Sequence, residues 1–180
     1  EFPVPAHPRY YAPPWVHGFD ECCSTESMMP TFNPYYHDCG PIGTEDYRFI
    51  MDKPVERGDR SGTRWGGSYW TGPGHIVDHN IPGDDSTFVM DRALDFIDRK
   101  LDDHEPVFTC IWFHTPHTPI VAGNDMRELY RELSLPEQHW YGCLTAMDLQ
   151  VGRLRKYLRD KGVAENTILW FCSDNGPSFV

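Results

Sequence analysis

The chain has 180 residues and a formal net charge of -11, with 27 acidic against 16 basic side chains. This length favours a single domain with a core of its own, and the acidic balance argues against a nucleic-acid or anionic-membrane surface. No apolar run approaches the length of a membrane span, and no signal peptide opens the sequence. The sequence begins abruptly at Glu1, and we expect it to be part of a longer protein.

The six cysteines do not form the pattern of a disulfide framework. Cys110 and Cys172 lie in apolar, strand-like runs and Cys143 lies in a helical stretch, so we expect three buried thiols. No CxxC occurs, which argues against a zinc site built on cysteine. Three others lie in a loop-rich region, where nothing fixes a pairing: Cys22, Cys23 and Cys39.

Residues 1–83 contain little periodic pattern and many Pro, Gly, Asn and Asp residues, which is typical of long functional loops. Short strands are predicted at 47–51 and 75–77. One cluster mixes cations with aromatic rings: Arg60, Arg64, Trp65, Tyr69, Trp70 and His75. A packed surface loop with stacked rings is the simpler interpretation of this cluster. The alternative is a wall that contacts substrate, with Arg64 and Trp70 as the contacting residues.

Two amphipathic helices are predicted, at 86–102 and 136–161. The first has Ser86 as its N-cap, two acidic residues that suit the positive end of the helix dipole, and apolar residues at helical spacing. The second carries one continuous apolar stripe and ends at Gly162. Asp148 borders that stripe, and we expect it to be a structural carboxylate with a hydrogen-bonding partner in the packing.

Two runs, 107–113 and 167–172, are apolar on both faces, as strands buried between helix layers are. Helices and strands alternate along the chain, and strands joined in this way are parallel with a right-handed crossover. The pattern therefore predicts an α/β fold, a three-layer sandwich with a mostly parallel sheet.

Polar side chains follow both predicted strands. His114 and His117 follow the first, and Asp174 and Asn175 follow the second, at the edge where α/β sheets bind ligands. The oxygens of Asp174 and Asn175 suit Ca²⁺ or Mg²⁺, although turn chemistry explains this loop equally well. Two prolines beside the histidines favour an extended loop over a helical metal pair. We expect His117, Asp174 and Asn175 to face one cleft, with His114 close behind them.

The ordered set of motifs resembles the sulfatases of the alkaline-phosphatase superfamily. The match covers most of residues 13–178. The matching segments are His17-Gly-Phe-Asp20, Phe113-His-Thr-Pro-His-Thr-Pro119, Ala146-Met-Asp-Leu-Gln-Val-Gly152, Asn166-Thr-Ile168 and Ser173-Asp-Asn-Gly176.

By position, Asp174 and Asn175 resemble two Ca²⁺ ligands of that family, and His117 resembles the histidine that contacts the sulfate ester. His114 has no firm counterpart and stays a weaker substrate-contact candidate. The family's nucleophile is a formylglycine made from Cys or Ser within Cys-X-Pro-Ser-Arg, a motif that these residues do not contain. The family's N-terminal acidic pair, its Gly-Lys-Trp-His segment and a later Lys are also missing.

The resemblance implies that 1–180 is part of one alkaline-phosphatase-like catalytic domain, with 1–83 rich in loops and 84–180 forming the α/β core. It implies a periplasmic or secreted hydrolase that acts on a small-molecule or carbohydrate sulfate ester and is inactive without its nucleophile. Two alternatives remain. One is a phosphodiesterase or phosphonate monoester hydrolase of the same superfamily, and the other is a non-catalytic metal-binding module.

Overall fold

The computed structural model describes residues 12–25, 28–37, 57–58 and 63–176. The strands in these ranges are β1 (Ser24–Thr25), β2 (Tyr36–His37), β3 (Thr63–Arg64), β4 (Tyr69–Gly72) and β5 (His75–Ile76). The α-helices are α1 (Asp85–Asp102), α2 (Asn124–Glu128) and α3 (Leu135–Asp160). Single turns of 3-10 helix lie at Pro14–Val16 and Ala164–Asn166. The predicted strand at 47–51 lies outside the described residues, and β5 confirms most of the one at 75–77.

The short strands form two small antiparallel sheets. β4 pairs with β1 on one side and β5 on the other, and β2 pairs with β3. Trp65 and Tyr69 are buried, so the packed-loop interpretation holds for these two members of the aromatic cluster. The indole of Trp65 donates to the Met28 carbonyl at 2.9 Å. They share one core with four other residues: Met29, Tyr35, Val77 and Ile81.

The N-cap of helix α1 lies two residues earlier than predicted. The N-cap is Asp84, whose carboxylate accepts a hydrogen bond from the Ser86 backbone N–H at 2.9 Å. Ser86 was expected to be the cap but is a buried residue of the first turn. The predicted apolar face is confirmed, and it packs against α3 in a second core: Met90, Ala93, Leu94, Ile97, Leu154 and Leu158.

Residues adjacent to α3 in the sequence cap both of its ends. Ser134 and Glu137 form a capping box at the start. At the end, Gly162 has a φ of +71°, and its N–H donates to the Arg159 carbonyl at 2.9 Å. This left-handed residue ends the helix as the sequence predicts. The expectation for Asp148 is wrong, because its side chain is exposed and not part of the packing.

The two predicted buried strands are not strands in this structure. Residues 107–113 and 167–172 form no ladder with any described segment, and the strands that do form pair antiparallel. Phe108 is 76% exposed and Ile168 is 94% exposed. The parallel sandwich is therefore not confirmed.

The sequence predicts three buried thiols, and the structure confirms one of them. Cys143 is buried, but Cys110 and Cys172 are exposed because they lie in the two unpaired segments. Cys22 and Cys23 are free thiols, and Cys39 lies outside the described residues. Among the helices that the structure describes, none combines the length and apolarity that a membrane crossing requires.

Candidate functional site

The first turn of α1 holds His114 through a buried carboxylate. The Nδ1 atom of His114 lies 2.7 Å from Oδ2 of Asp85, and its Nε2 atom lies 3.0 Å from the Thr25 hydroxyl. The Tyr69 hydroxyl donates to the same Asp85 oxygen at 3.3 Å. The Asp85 side chain is fully buried, whereas that of His114 is 18% exposed. Because a carboxylate accepts hydrogen bonds, Nδ1 carries the proton of this pair.

Two adjacent carboxyl groups are buried at this point of the chain. Burial raises the pKa of Asp84 to about 8, and the neighbouring Asp85 charge adds to the rise. Burial also raises the pKa of Asp85, although the hydrogen bond from His114 opposes this effect. Oδ2 of Asp84 and Oδ1 of Asp85 have no hydrogen-bond partner among the described residues. At neutral pH the pair therefore carries less than two negative charges.

The loop that follows His114 is fixed at its far end by Thr31. This buried residue donates its hydroxyl to the Val121 carbonyl at 2.7 Å and accepts from the Val121 N–H at 2.8 Å. Its own N–H donates to the Pro119 carbonyl at 3.2 Å, and its carbonyl accepts from the Asp85 N–H at 3.1 Å. Thr31 thus ties the end of the loop to the same helix turn that holds its beginning.

His117 lies between these two anchored ends and is exposed. Its N–H donates to the His114 carbonyl at 2.6 Å, so the segment is a hydrogen-bonded turn and not the extended loop that the prolines predict. Its Nδ1 donates to the Thr118 carbonyl at 2.6 Å. No described residue hydrogen bonds its Nε2 atom, which leaves that atom able to contact a ligand.

Asp174 and Asn175 lie in an exposed local turn. Oδ1 of Asp174 accepts from the Asn175 N–H at 2.9 Å, and the Ser173 hydroxyl donates to the Asn175 carbonyl at 2.6 Å. The second oxygen of Asp174 and the amide oxygen of Asn175 are hard donors that fit Ca²⁺, although two ligands are far fewer than the six to eight that this ion takes. Among the described residues, no cluster of three or more His, Cys, Asp or Glu side chains has the arrangement of a metal site.

The structure brings some predicted residues together and leaves others apart. His114 and His117 share one turn, but no described hydrogen bond or ion pair joins that turn to Asp174 or Asn175. The common cleft stays a prediction. Trp70 lies in β4 opposite Ser24 and Ile76, and Arg64 lies in β3 opposite Tyr36. Their contact with substrate also stays a prediction.

The sequence did not indicate the partners of His114. Asp85 was interpreted only as a charge that suits the helix dipole, and Thr25 carried no signal. The segment Asp84-Asp85-Ser86 contained one hint. Two acidic residues directly before the apolar side of a helix are expected to be partly buried. The contact itself spans a helix start, a loop and a strand, so spacing alone does not show it.

Comparison with known proteins decides the family. The family model described as Sulfatase matches residues 7–180. The chain belongs to the sulfatase family.

Individual sulfatases show the extent of the similarity. An N-acetylgalactosamine-6-sulfatase of Sus scrofa is 34% identical over 178 residues, which is 93% of this chain and 28% of that protein. An arylsulfatase of Clostridium perfringens is 25% identical over 126 residues, covering 51% of this chain and 26% of the relative. The chain therefore spans less than a third of these two sulfatases.

Similarity to solved structures is limited. A crystal structure assigned as a sulfatase, yidJ of Bacteroides fragilis, has a TM-score of 0.47 and 17% identity. The match covers 69% of this chain and 29% of that one.

Proposed function

We propose that the protein hydrolyses sulfate esters and that His117 contacts the ester group. The observation that carries this proposal is the presentation of His117, which is exposed at the tip of a turn whose two ends are anchored to buried residues. A catalytic side chain needs such support, because a small displacement of a reacting group lowers the rate strongly. Membership of the sulfatase family supplies the reaction class.

The chemistry that His117 performs follows from its hydrogen bonds. Its Nδ1–H is directed at the Thr118 carbonyl, which fixes the ring and leaves Nε2 available to a ligand. A protonated Nε2 donates a hydrogen bond to the ester oxygen and then a proton to the departing alcohol. Such proton transfer is worth about 10²- to 10⁴-fold in rate.

Two further groups belong to the proposal. Asp174 and Asn175 would supply two oxygen ligands to Ca²⁺, and the ion would supply positive charge near the sulfate oxygens. The nucleophile is a formylglycine that lies outside these 180 residues, since none of the six cysteines is followed by X-Pro-Ser-Arg. In this proposal, the residues of this chain bind and orient the sulfate ester and transfer a proton to its leaving group.

The fold that we propose for the intact protein restores the predicted sheet. Residues 107–113 and 167–172 then form parallel strands, and His117 and Asp174 follow their carboxyl ends at one edge. Neighbouring strands lie about 4.8 Å apart, so both side chains reach one sulfate group and its cation. The exposed apolar residues of these two segments support this proposal, because strands buried on both faces have such a composition.

The substrate class that we propose is a sulfated carbohydrate. The relative from Sus scrofa is named for N-acetylgalactosamine 6-sulfate, and its similarity extends over 93% of this chain. N-acetylgalactosamine 6-sulfate is therefore the first natural substrate to test, beside a chromogenic aryl sulfate.

The test compares sulfate and phosphate esters with the intact protein. We expect turnover of p-nitrophenyl sulfate to exceed that of p-nitrophenyl phosphate, and His117→Ala to lower kcat by about 10²- to 10⁴-fold. His79→Ala is the matched control, because His79 is another exposed histidine, 69% exposed, in a different loop. A preference for the phosphate ester would favour the phosphoesterase alternative. Full activity of His117→Ala would remove this residue from the mechanism.

A further inference from the structure

We propose that His114 is a positioning residue, and that its Nδ1 contact with Asp85 orients the turn that presents His117. This inference rests on the proposed role of His117 in sulfate ester hydrolysis. The sequence predicts that His114 contacts the substrate, and this inference assigns it a different role. It also assigns a function to Asp85, which the reaction itself does not use.

The anchor of this arrangement is rigid. The Asp85 side chain is fully buried, and its backbone N–H is hydrogen bonded to the Thr31 carbonyl at 3.1 Å. Its Oδ2 atom accepts from both His114 and Tyr69, at 2.7 and 3.3 Å. Rotation of the His114 ring would remove the shorter of the two hydrogen bonds to this buried carboxylate, which costs free energy and so favours the observed ring orientation.

One described hydrogen bond joins His114 and His117 across the turn. The His114 carbonyl accepts from the His117 N–H at 2.6 Å and closes the turn. When the ring of His114 is fixed, its backbone and the direction of this carbonyl are fixed as well. The backbone of His117 is therefore held from the Asp85 side of the turn, while the Thr118 carbonyl holds its ring.

The other end of the loop is held separately. The N–H of Val121 donates to the Thr31 hydroxyl at 2.8 Å, and the N–H of Ala122 donates to Nδ1 of buried His139 at 3.0 Å. Neither bond involves His114. Loss of the Asp85 contact should therefore loosen the His117 N–H and leave those of Val121 and Ala122 in place.

Three variants of the intact protein separate the two nitrogens of His114. His114→Asn places an amide nitrogen near the position of Nδ1 and keeps a donor for Asp85, whereas His114→Gln places its amide near Nε2. Thr25→Val removes only the partner of Nε2 and nearly keeps the shape. With p-nitrophenyl sulfate, we expect His114→Gln to lower kcat by up to about 10²-fold with KM little changed. His114→Asn should recover most of this loss, and Thr25→Val should have a small effect.

Amide hydrogen exchange of the same variants provides a readout that does not need activity. We expect the His117 N–H to exchange faster in His114→Gln than in the wild type, with the Val121 and Ala122 N–H groups unchanged. Faster exchange at all three positions would indicate general unfolding of the loop and overturn the proposal. A fall in kcat with unchanged exchange at His117 would also overturn it, because His114 would then act on the substrate directly.

The remaining outcomes separate this inference from the proposed function. Higher activity in His114→Gln than in His114→Asn, or a loss in Thr25→Val as large as in His114→Gln, would place the important contact at Nε2 and contradict the inference. If the wild-type protein does not hydrolyse sulfate esters, the proposed function fails. The exchange measurement then still decides whether Asp85 and His114 hold the turn.

Discussion

Asp84 and Asp85 are neighbouring carboxylates whose partners give them different roles. Asp85 accepts hydrogen bonds from His114 and Tyr69, whereas Asp84 caps α1 through one oxygen and leaves the other buried without a described partner. Burial raises the pKa of Asp84 from its ordinary 3.8 to about 8. The folded protein therefore binds more protons than the unfolded chain between these pH values, and stability falls as pH rises through this window.

This linkage predicts the behaviour of Asp84→Asn. Asparagine is an equally good N-cap, so the variant keeps the hydrogen bond to Ser86 but has no charge to bury. We expect its stability relative to wild type to rise as pH rises from 5 to 8, by an amount on the order of a few kcal/mol. Apparent melting temperatures of the intact proteins at both pH values measure this. The control is Asp148→Asn at an exposed site of α3, and an equal pH trend in both variants would contradict the prediction.

The calcium ligands are tested by a separate pair of variants. In the intact protein we expect Asp174→Ala to lower Ca²⁺ affinity by at least about tenfold and to lower turnover, because a charged oxygen ligand is removed. His117→Ala should lower turnover and leave Ca²⁺ affinity unchanged. Titration calorimetry with Ca²⁺ alone measures the affinity. Wild-type affinity in Asp174→Ala would exclude this residue as a ligand.

At the scale of the elements, α3 contains two glycines in contrasting surroundings. A Cβ atom at Gly142 would lie 2.8 Å from the Ala122 Cβ and 3.4 Å from the Met126 Cβ, whereas Gly152 has nothing within 4 Å. Gly142 therefore lets the helix approach the segment that follows the His117 turn. Gly152 only weakens the helix, by about 1 kcal/mol relative to alanine.

These surroundings predict opposite effects for the same substitution. Gly142→Ala should destabilise the protein by roughly 1–3 kcal/mol, because the new methyl group overpacks a close contact. Gly152→Ala should stabilise it by up to about 1 kcal/mol. Denaturant unfolding of both variants measures the difference. Stabilisation by Gly142→Ala would show that the helix and the loop are not in close contact.

The helices were predictable because their signals are local. The apolar spacing of α1 and α3 and the glycine after α3 all lie within a few residues of the feature they specify. The cap of α1 differs from the predicted one by two residues because Asp84 and Ser86 are both good caps, and the extended backbone of Asp84 with its bond to the Ser86 N–H appears only in the structure.

The strands and the support of the site depend on distant contacts. Residues 107–113 and 167–172 have strand composition, but a strand forms only where another segment completes its ladder. In the same way, the exposure of His117 follows from its polar turn, whereas the Asp85–His114 contact joins residues 29 positions apart. No periodicity marks a contact of that range.

At the scale of the whole molecule, the exposed apolar side chains are concentrated in these two segments. Phe108, Trp112, Ile168 and Trp170 are 76, 84, 94 and 82% exposed. Large apolar side chains exposed in such numbers within two short segments favour a contact with other protein. Because the chain spans 28% of its relative from Sus scrofa, we propose that the rest of the protein covers these faces.

The last prediction concerns the activity of the 180 residues alone. They contain the His117 turn and two proposed Ca²⁺ ligands, but none of their six cysteines has the X-Pro-Ser-Arg context of the nucleophile. Histidine can donate a proton, but without a nucleophile and a filled cation site the sulfate ester is not attacked. We therefore expect no turnover of p-nitrophenyl sulfate or p-nitrophenyl phosphate above that of buffer. His117→Ala in the same chain is the control. Robust turnover that this substitution abolishes would show that the chain carries a complete site, with a nucleophile other than the one its family uses.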